Sequence, residues 1–244
     1  MLANQVNPLE LLIGKLGRLA DLDEAATAAV RALPFRVARV LKKHILVREG
    51  DRPTDCCVLL RGFTCRYKVT SEGERQIVSF HMAGDVLDAQ HLLLERADHS
   101  AMAITDASVA WVPAGAIREV LTAHSSINHA LWRDTLIDGS IFREWVLNVG
   151  RRDSKTRIAH MLCEFVTRME AAGLGSPQQF ELPMTQHDIA DATGLTSVHV
   201  NRTLQVMEQD GVIERKVRHF RIVDWQRMQQ VADFDPAYLH VAAA

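Results

Sequence analysis

Residues 184–223 read MTQHDIADATGLTSVHVNRTLQVMEQDGVIERKVRHFRIV. Two helical patterns meet there at Gly194. Thr185 is placed to N-cap the first, Gln186–Ala192, whose inward side carries Ile189 and Ala190. Thr193-Gly194-Leu195 is a short turn in which glycine tolerates a left-handed backbone. Thr196 caps the second helix, Ser197–Gln209, with Val200, Leu204 and Met207 at helical spacing and Gly211 as its stop. Ile213–Val217 and Phe220–Val223 then alternate like a tight hairpin, with Lys216 to His219 near its tip. The order helix, glycine turn, helix, basic hairpin predicts a winged helix-turn-helix.

That arrangement suits double-stranded DNA. The major groove admits one α-helix, and the first turns of the second helix of such a pair face base edges. Ser197, Val198, His199, Asn201 and Arg202 occupy those turns, with Thr185, Gln186 and Thr196 at the helix starts. Arginine reaches guanine O6 and N7 together, asparagine can pair with adenine, and valine can touch a thymine methyl. Lys216 and Arg218 on the hairpin are the expected phosphate contacts, which position a protein without reading sequence. A plain helical pair with solvent-facing Asn201 and Arg202 is the competing reading. The glycine turn, the capped second helix and the basic hairpin together oppose it.

Working outward, Gly150-Arg151-Arg152-Asp153 interrupts the pattern upstream. Before it, Ser125–Val149 reads as one long helix. Ile127, Ala130, Leu131, Asp134, Ile137, Ile141, Trp145 and Val149 trace a single stripe, with Leu136, Phe142 and Val146 beside it. A stripe that wide needs two partners: its own chain, and the same helix of a second subunit in a two-fold contact. Ile127, Leu131, Ile137, Ile141 and Trp145 are the expected dimer contacts. Burial of the helix within one subunit is the alternative.

From about Val37 to Val112, short β-branched and apolar runs alternate with turns at Glu49-Gly50-Asp51, Arg61-Gly62, Ser71-Glu72-Gly73-Glu74 and Ala83-Gly84-Asp85. Spacing near ten residues predicts an antiparallel β-roll or jelly roll. The expected class is α+β: residues 1–123 a β-roll sensor domain, 124–150 a long dimerisation helix and hinge, 151–244 the DNA-binding domain.

The 244 residues are 48% hydrophobic and 24% charged with net charge −2, values of a globular protein and not of a general polyanion binder. No apolar run approaches the roughly 18 residues of a membrane span, and the start lacks signal-peptide form, so a cytoplasmic protein without membrane contact is expected. Cys56, Cys57, Cys65 and Cys163 form no CxxC pair, and Cys56 and Cys57, in a strand-like run, read as inert core thiols with oxidation sensing as the alternative.

The whole order resembles the Crp/Fnr family of bacterial transcription regulators, over roughly residues 37–224. The glycine corners carry the resemblance in the roll. In the DNA half it is carried by Thr185-Gln186-His187-Asp188-Ile189-Ala190, Gly194-Leu195-Thr196, Val200-Asn201-Arg202, Leu204 and Gly211-Val212-Ile213. The resemblance implies a homodimer on a palindromic operator, helices entering successive major grooves, and RNA polymerase as a partner. It implies no enzymatic activity.

Departures from the family bear on the effector. Cyclic-nucleotide-binding members carry a ribose-binding glutamate and a phosphate-binding arginine before a Ser/Thr-Ala pair. Ala89 and His99 stand at those places here, before Ser100-Ala101, and Phe142 and Arg143 replace small hydroxyl residues on the long helix. Alanine accepts no hydrogen bond, and histidine lacks the bidentate fork. The candidate effector pocket of Ala89, His99 and Ser100 therefore argues against cAMP or cGMP, and the small-molecule effector stays unassigned. The clustered N-terminal cysteines of the iron–sulfur branch are absent too, since no cysteine precedes Cys56. Val198 replaces the glutamate that many relatives place early in the recognition helix. No cofactor or metal is expected. Two alternatives are a haem or gas sensor of the same fold, using His81, His91 or His99, and a cupin-type metalloenzyme with an appended helical domain. The histidine spacing matches no metal motif.

Overall fold

The computed structural model describes residues 7–216 and 219–241, and the chain divides into two compact units. One comprises Met1–Lys68 with Phe80–Leu136, the other Val69–Ser79 with Ile137–Ala244.

Helices α1 (Glu10–Leu19) and α2 (Glu24–Arg31) precede seven strands: β1 (Arg36–Val40), β2 (Ile45–Val47), β3 (Asp55–Arg61), β4 (Thr64–Val69), β5 (Arg75–His81), β6 (Ser100–Ala103) and β7 (Ala107–Pro113), all in the first unit except most of β5, which belongs to the second. They form two sheets of order β1-β7-β3 and β2-β6-β4-β5. The registers of β1 and β3 on β7 and of β2 and β4 on β6 are antiparallel. Alternation along β3 and β7 sorts their side chains onto two faces. Cys56, Val58, Ala110 and Val112 pack under Leu12, Leu16, Ala26 and Val30 of the first two helices. Cys57, Leu59 and Val109 point the other way, into the roll, against Leu87 and Ala103. The β3–β4 corner requires glycine. Gly62 has φ +88°, and a Cβ there would lie 2.5 Å from the Asp106 carbonyl oxygen.

Pro113 caps α3 (Ala114–Ala123), which leads into the 27-residue helix α4 (Ser125–Arg151). Lys15 on α1 joins it to the roll: its ammonium donates to Asp85 at 2.9 Å and to Asp134 of α4 at 2.8 Å. Helix α4 runs through Gly150, so the break expected there is shorter than the sequence suggested. Asp153 accepts from the Lys155 and Thr156 amides and starts α5 (Ser154–Ala171).

The face that α4 leaves open differs from the expected one. Ile127 is 3% exposed and lies in the core of the first unit with Ala130, and Leu131 packs against that core. Ile141 and Trp145 are 6% and 7% exposed. Ile127, Ile141 and Trp145 are therefore largely covered by their own chain, while Leu131 and Ile137 are half-buried. The exposed apolar side chains are Trp132, Leu136, Val146 and Leu147. At 3.6 residues per turn they share one stripe on the side of the helix away from Ile127, Ile141 and Trp145. Both sides of α4 are apolar, so periodicity found the helix but not its free face.

The second unit adds β8 (Phe180–Glu181), α6 (Gln186–Thr193), α7 (Ser197–Gln209), β9 (Ile213–Lys216), β10 (His219–Ile222) and α8 (Trp225–Ala232). Ile158, Leu162, Phe165 and Val166 of α5 are buried, as are Ile189 of α6 and Val200, Leu204 and Met207 of α7. The wing is a three-stranded sheet of order β8-β10-β9, one strand larger than the hairpin read from the sequence. No helix among the described residues is long and apolar enough to cross a membrane.

Candidate nucleic-acid interface

Local chemistry fixes the helix-turn-helix. The Thr185 hydroxyl accepts from the Asp188 amide at 3.2 Å, and Asp188 accepts from the Thr185 amide at 2.9 Å and its hydroxyl at 2.7 Å, a complete capping box. The 69–79 arm adds Arg75, whose guanidinium donates to Asp188 at 2.8 Å and to Asp191 at 2.6 Å. Burial pushes the Asp188 carboxyl up, but the bonds from Thr185 and Arg75 outweigh it and hold the group below the ordinary carboxylate range. Gly194 closes α6 in the left-handed conformation at φ +65° and ψ 37°. Arg157 of α5 braces this turn by donating to the Thr193 carbonyl at 2.7 Å. Thr196 caps α7 by accepting from the His199 amide at 3.2 Å.

With Val200, Leu204 and Met207 buried, α7 turns Val198 and Arg202 outward, one turn apart. Val198 is 78% exposed. Arg202 is exposed and makes no hydrogen bond or ion pair to the described residues. Three of the other candidates, His199, Gln186 and Asn201, are engaged. The His199 ring Nε2 lies 3.0 Å from the Ser154 hydroxyl, and the Gln186 amide donates to Asn201 Oδ1 at 2.9 Å. Ser197 is half-buried in the first turn of α7.

The basic run of the wing is less cationic than its sequence. Arg215 donates to Glu208 at 2.6 Å and Arg221 to Glu214 at 3.2 Å. Lys216 ends β9 exposed, opposite His219. Arg218 lies outside the described residues.

The effector candidates sit in the first unit. Ala89 opens a 3₁₀ turn, Ala89–Leu92. His99 is 8% exposed, with Nδ1 2.7 Å from Asp98 and Nε2 3.2 Å from the Gln90 amide nitrogen. Gln90 donates there, so Nδ1 carries the proton toward Asp98, the neutral tautomer. Burial, and then the Arg66 charge, hold the His99 pKa below the ordinary histidine range, with Asp98 opposing. The ring is thus neutral near pH 7 and does not replace an arginine toward phosphate. The Ser100 hydroxyl accepts from the Glu49 amide at 3.0 Å.

The surrounding polar interior was mostly invisible to sequence reading. Arg66 is buried and donates to the Leu87 carbonyl at 2.8 Å. Asp88 Oδ1 accepts from the Cys57 amide at 2.8 Å, while its other oxygen lies 3.5 Å from His91 Nδ1. His91 stacks on His99 at 6.5 Å. Thr64, Cys65, Arg66 and Tyr67 of β4 are all buried, whereas period-2 counting sends the polar Thr64 and Arg66 to the solvent side, so no local signal marks them. Among the described residues no three His, Cys, Asp or Glu side chains assemble as a metal site. Burial raises the Cys56, Cys57 and Cys163 thiols, which suppresses their thiolates.

Comparison with known proteins agrees with both halves. Residues 37–124 match the cyclic nucleotide-binding domain family and residues 156–231 the Crp-like helix-turn-helix domain family. Electron transport regulator A of Shewanella oneidensis is 25% identical over 227 residues, 92% of this chain and 85% of that protein. Transcriptional activator protein FnrA of Stutzerimonas stutzeri is 25% identical over 206 residues, 84% and 82% of the two chains. The solved structure of FixK2 from Bradyrhizobium japonicum superposes with TM-score 0.74 at 26% identity, covering 82% of this chain and 98% of that one.

Proposed function

The chain belongs to the Crp/Fnr family of transcription regulators, and from that premise we propose that it binds a palindromic operator as a homodimer. Helix α7 enters the major groove, with Arg202 toward guanine and Val198 toward a thymine methyl. Ser197 and the Thr185 and Thr196 helix starts lie alongside, and Lys216 meets the phosphates. The observation that carries this reading is the outward pair Val198 and Arg202, exposed and unengaged on a helix whose opposite side is buried. The partner subunit sits on the α4 stripe of Trp132, Leu136, Val146 and Leu147, which are exposed. Half-sites then fall about one helical turn apart.

On this reading the protein is a cytoplasmic regulator, not an enzyme, that contacts RNA polymerase. Residues 1–123 answer to something other than a cyclic nucleotide. A neutral, carboxylate-bound His99 and the methyl group of Ala89 support that part. The test is selection of the purified protein against random duplex DNA, read by sequencing. An enriched palindrome with half-sites about one turn apart supports the reading. Absence of enrichment from folded protein, with and without cell extract, overturns it.

A further inference from the structure

Two side chains of the interface are bound to each other before any DNA arrives. Gln186 is the first residue of α6, and its side-chain amide donates to Asn201 Oδ1 of α7 at 2.9 Å. Resting on the DNA-binding reading above, we propose that Gln186 is a positioning residue for Asn201: it sets which end of the Asn201 amide faces the groove and so which base Asn201 reads.

The argument is one of hydrogen-bond inventory. Asparagine carries an oxygen with two lone pairs and an NH2 with two donor hydrogens. Reading adenine takes the oxygen toward N6 and the nitrogen toward N7. The bond to Gln186 engages one lone pair of the oxygen and fixes the plane of the amide, which turns the nitrogen toward the groove. An N–H donor presented there recognises acceptor-bearing edges, guanine O6 and N7, adenine N7 or thymine O4, and leaves cytosine N4 unread.

The pair is held from both sides. Gln186 stands on a helix start locked by the Thr185–Asp188 capping box. Helix α7 is tied to α5 through His199 and Ser154 at 3.0 Å. In water an exposed amide pair contributes little, because water competes for each group. Between protein and DNA that competition falls, and an amide already oriented needs no reordering on binding.

The inference makes a signed prediction. In Gln186→Glu the side chain can only accept, so Asn201 must turn its nitrogen inward and its oxygen outward. An outward acceptor recognises donor-bearing edges, cytosine N4 or adenine N6. Selection against random duplexes with wild type, Gln186→Ala, Gln186→Glu and Asn201→Ala reads this directly. One base position should lose discrimination in Asn201→Ala. The same position should relax in Gln186→Ala, by on the order of tenfold, and gain cytosine at the expense of guanine and thymine in Gln186→Glu. The double variant Gln186→Ala with Asn201→Ala should be no worse than Asn201→Ala alone.

A uniform loss across all sequences in the Gln186 variants, or an unchanged base profile, overturns the inference and makes Gln186 a phosphate contact or a bystander. An additive double variant overturns it as well. Failure of the underlying reading looks different: wild type itself then enriches no palindrome, and this inference falls with it.

Discussion

Trp145 of α4 donates its indole N–H to both carboxylate oxygens of Glu164 on α5, at 3.0 and 3.1 Å. Both side chains are buried, and Tyr238 completes the site by donating to Glu164 at 2.8 Å. Burial drives the Glu164 carboxyl up, with Arg168, Tyr238 and Trp145 opposing. Trp145 therefore serves the joint between α4 and α5. Trp145→Phe should keep the packing and lose the bond, at a cost of about 1–3 kcal/mol in the second unit, measured by denaturant unfolding. Unchanged stability would show that the bond contributes nothing.

The exposed apolar face of α4 gives the second prediction. Leu136→Asp together with Val146→Asp should turn the dimer into monomer in sedimentation and weaken operator binding in parallel. Ile141→Ala should instead destabilise the fold by about 2–5 kcal/mol while the folded fraction stays dimeric. A dimer that survives both aspartates would place the subunit contact elsewhere.

Arg202→Ala should weaken binding to the selected site by about 1–3 kcal/mol and relax one base position. Equal loss on specific and random DNA would contradict base reading by Arg202. Val198→Glu should shift the base opposite residue 198 from thymine toward cytosine, because a carboxylate accepts from cytosine N4 and the apolar contact to the thymine methyl is lost. The same selection reads both variants.

Two histidines set a pH dependence. His99 and His160 are each held below the ordinary histidine range, first by burial and then by a neighbouring arginine, Arg66 for His99 and Arg152 for His160. The unfolded chain, with pKa about 6.5, takes up these protons before the folded chain does. Stability tied to the neutral rings is thus complete above about pH 6.5 and is lost as pH falls through the lower folded values. The denaturant midpoint should be lower at about pH 5.5 than at about pH 7.5. His99→Gln with His160→Gln should flatten that difference, and a slope unchanged in the double variant would remove these rings as its source.

Neither cAMP nor cGMP should raise the melting temperature or give heat on titration. A ligand at a hundred times its Kd stabilises by roughly 2.7 kcal/mol, which calorimetry resolves easily. A clear shift at millimolar nucleotide would mean that the roll reorganises around Ala89 and His99.

The sequence alone determined every element whose signal is local. The Thr185 and Thr196 caps, the Gly194 turn and the outward placement of Val198 and Arg202 depend on neighbours within a few residues, so they were legible before any coordinates. The strands between Val37 and Val112 followed from alternation and turn residues for the same reason. Tertiary structure decided the pairings between distant residues. Only packing shows that Ile127, Ile141 and Trp145 face their own chain and that Trp132 and Leu136 do not, since both sides of α4 are apolar. Only the folded chain brings Glu208 to Arg215, Arg75 to Asp188 and Gln186 to Asn201. A periodic pattern says which residues share a face of a helix; what that face meets depends on contacts that no local spacing encodes.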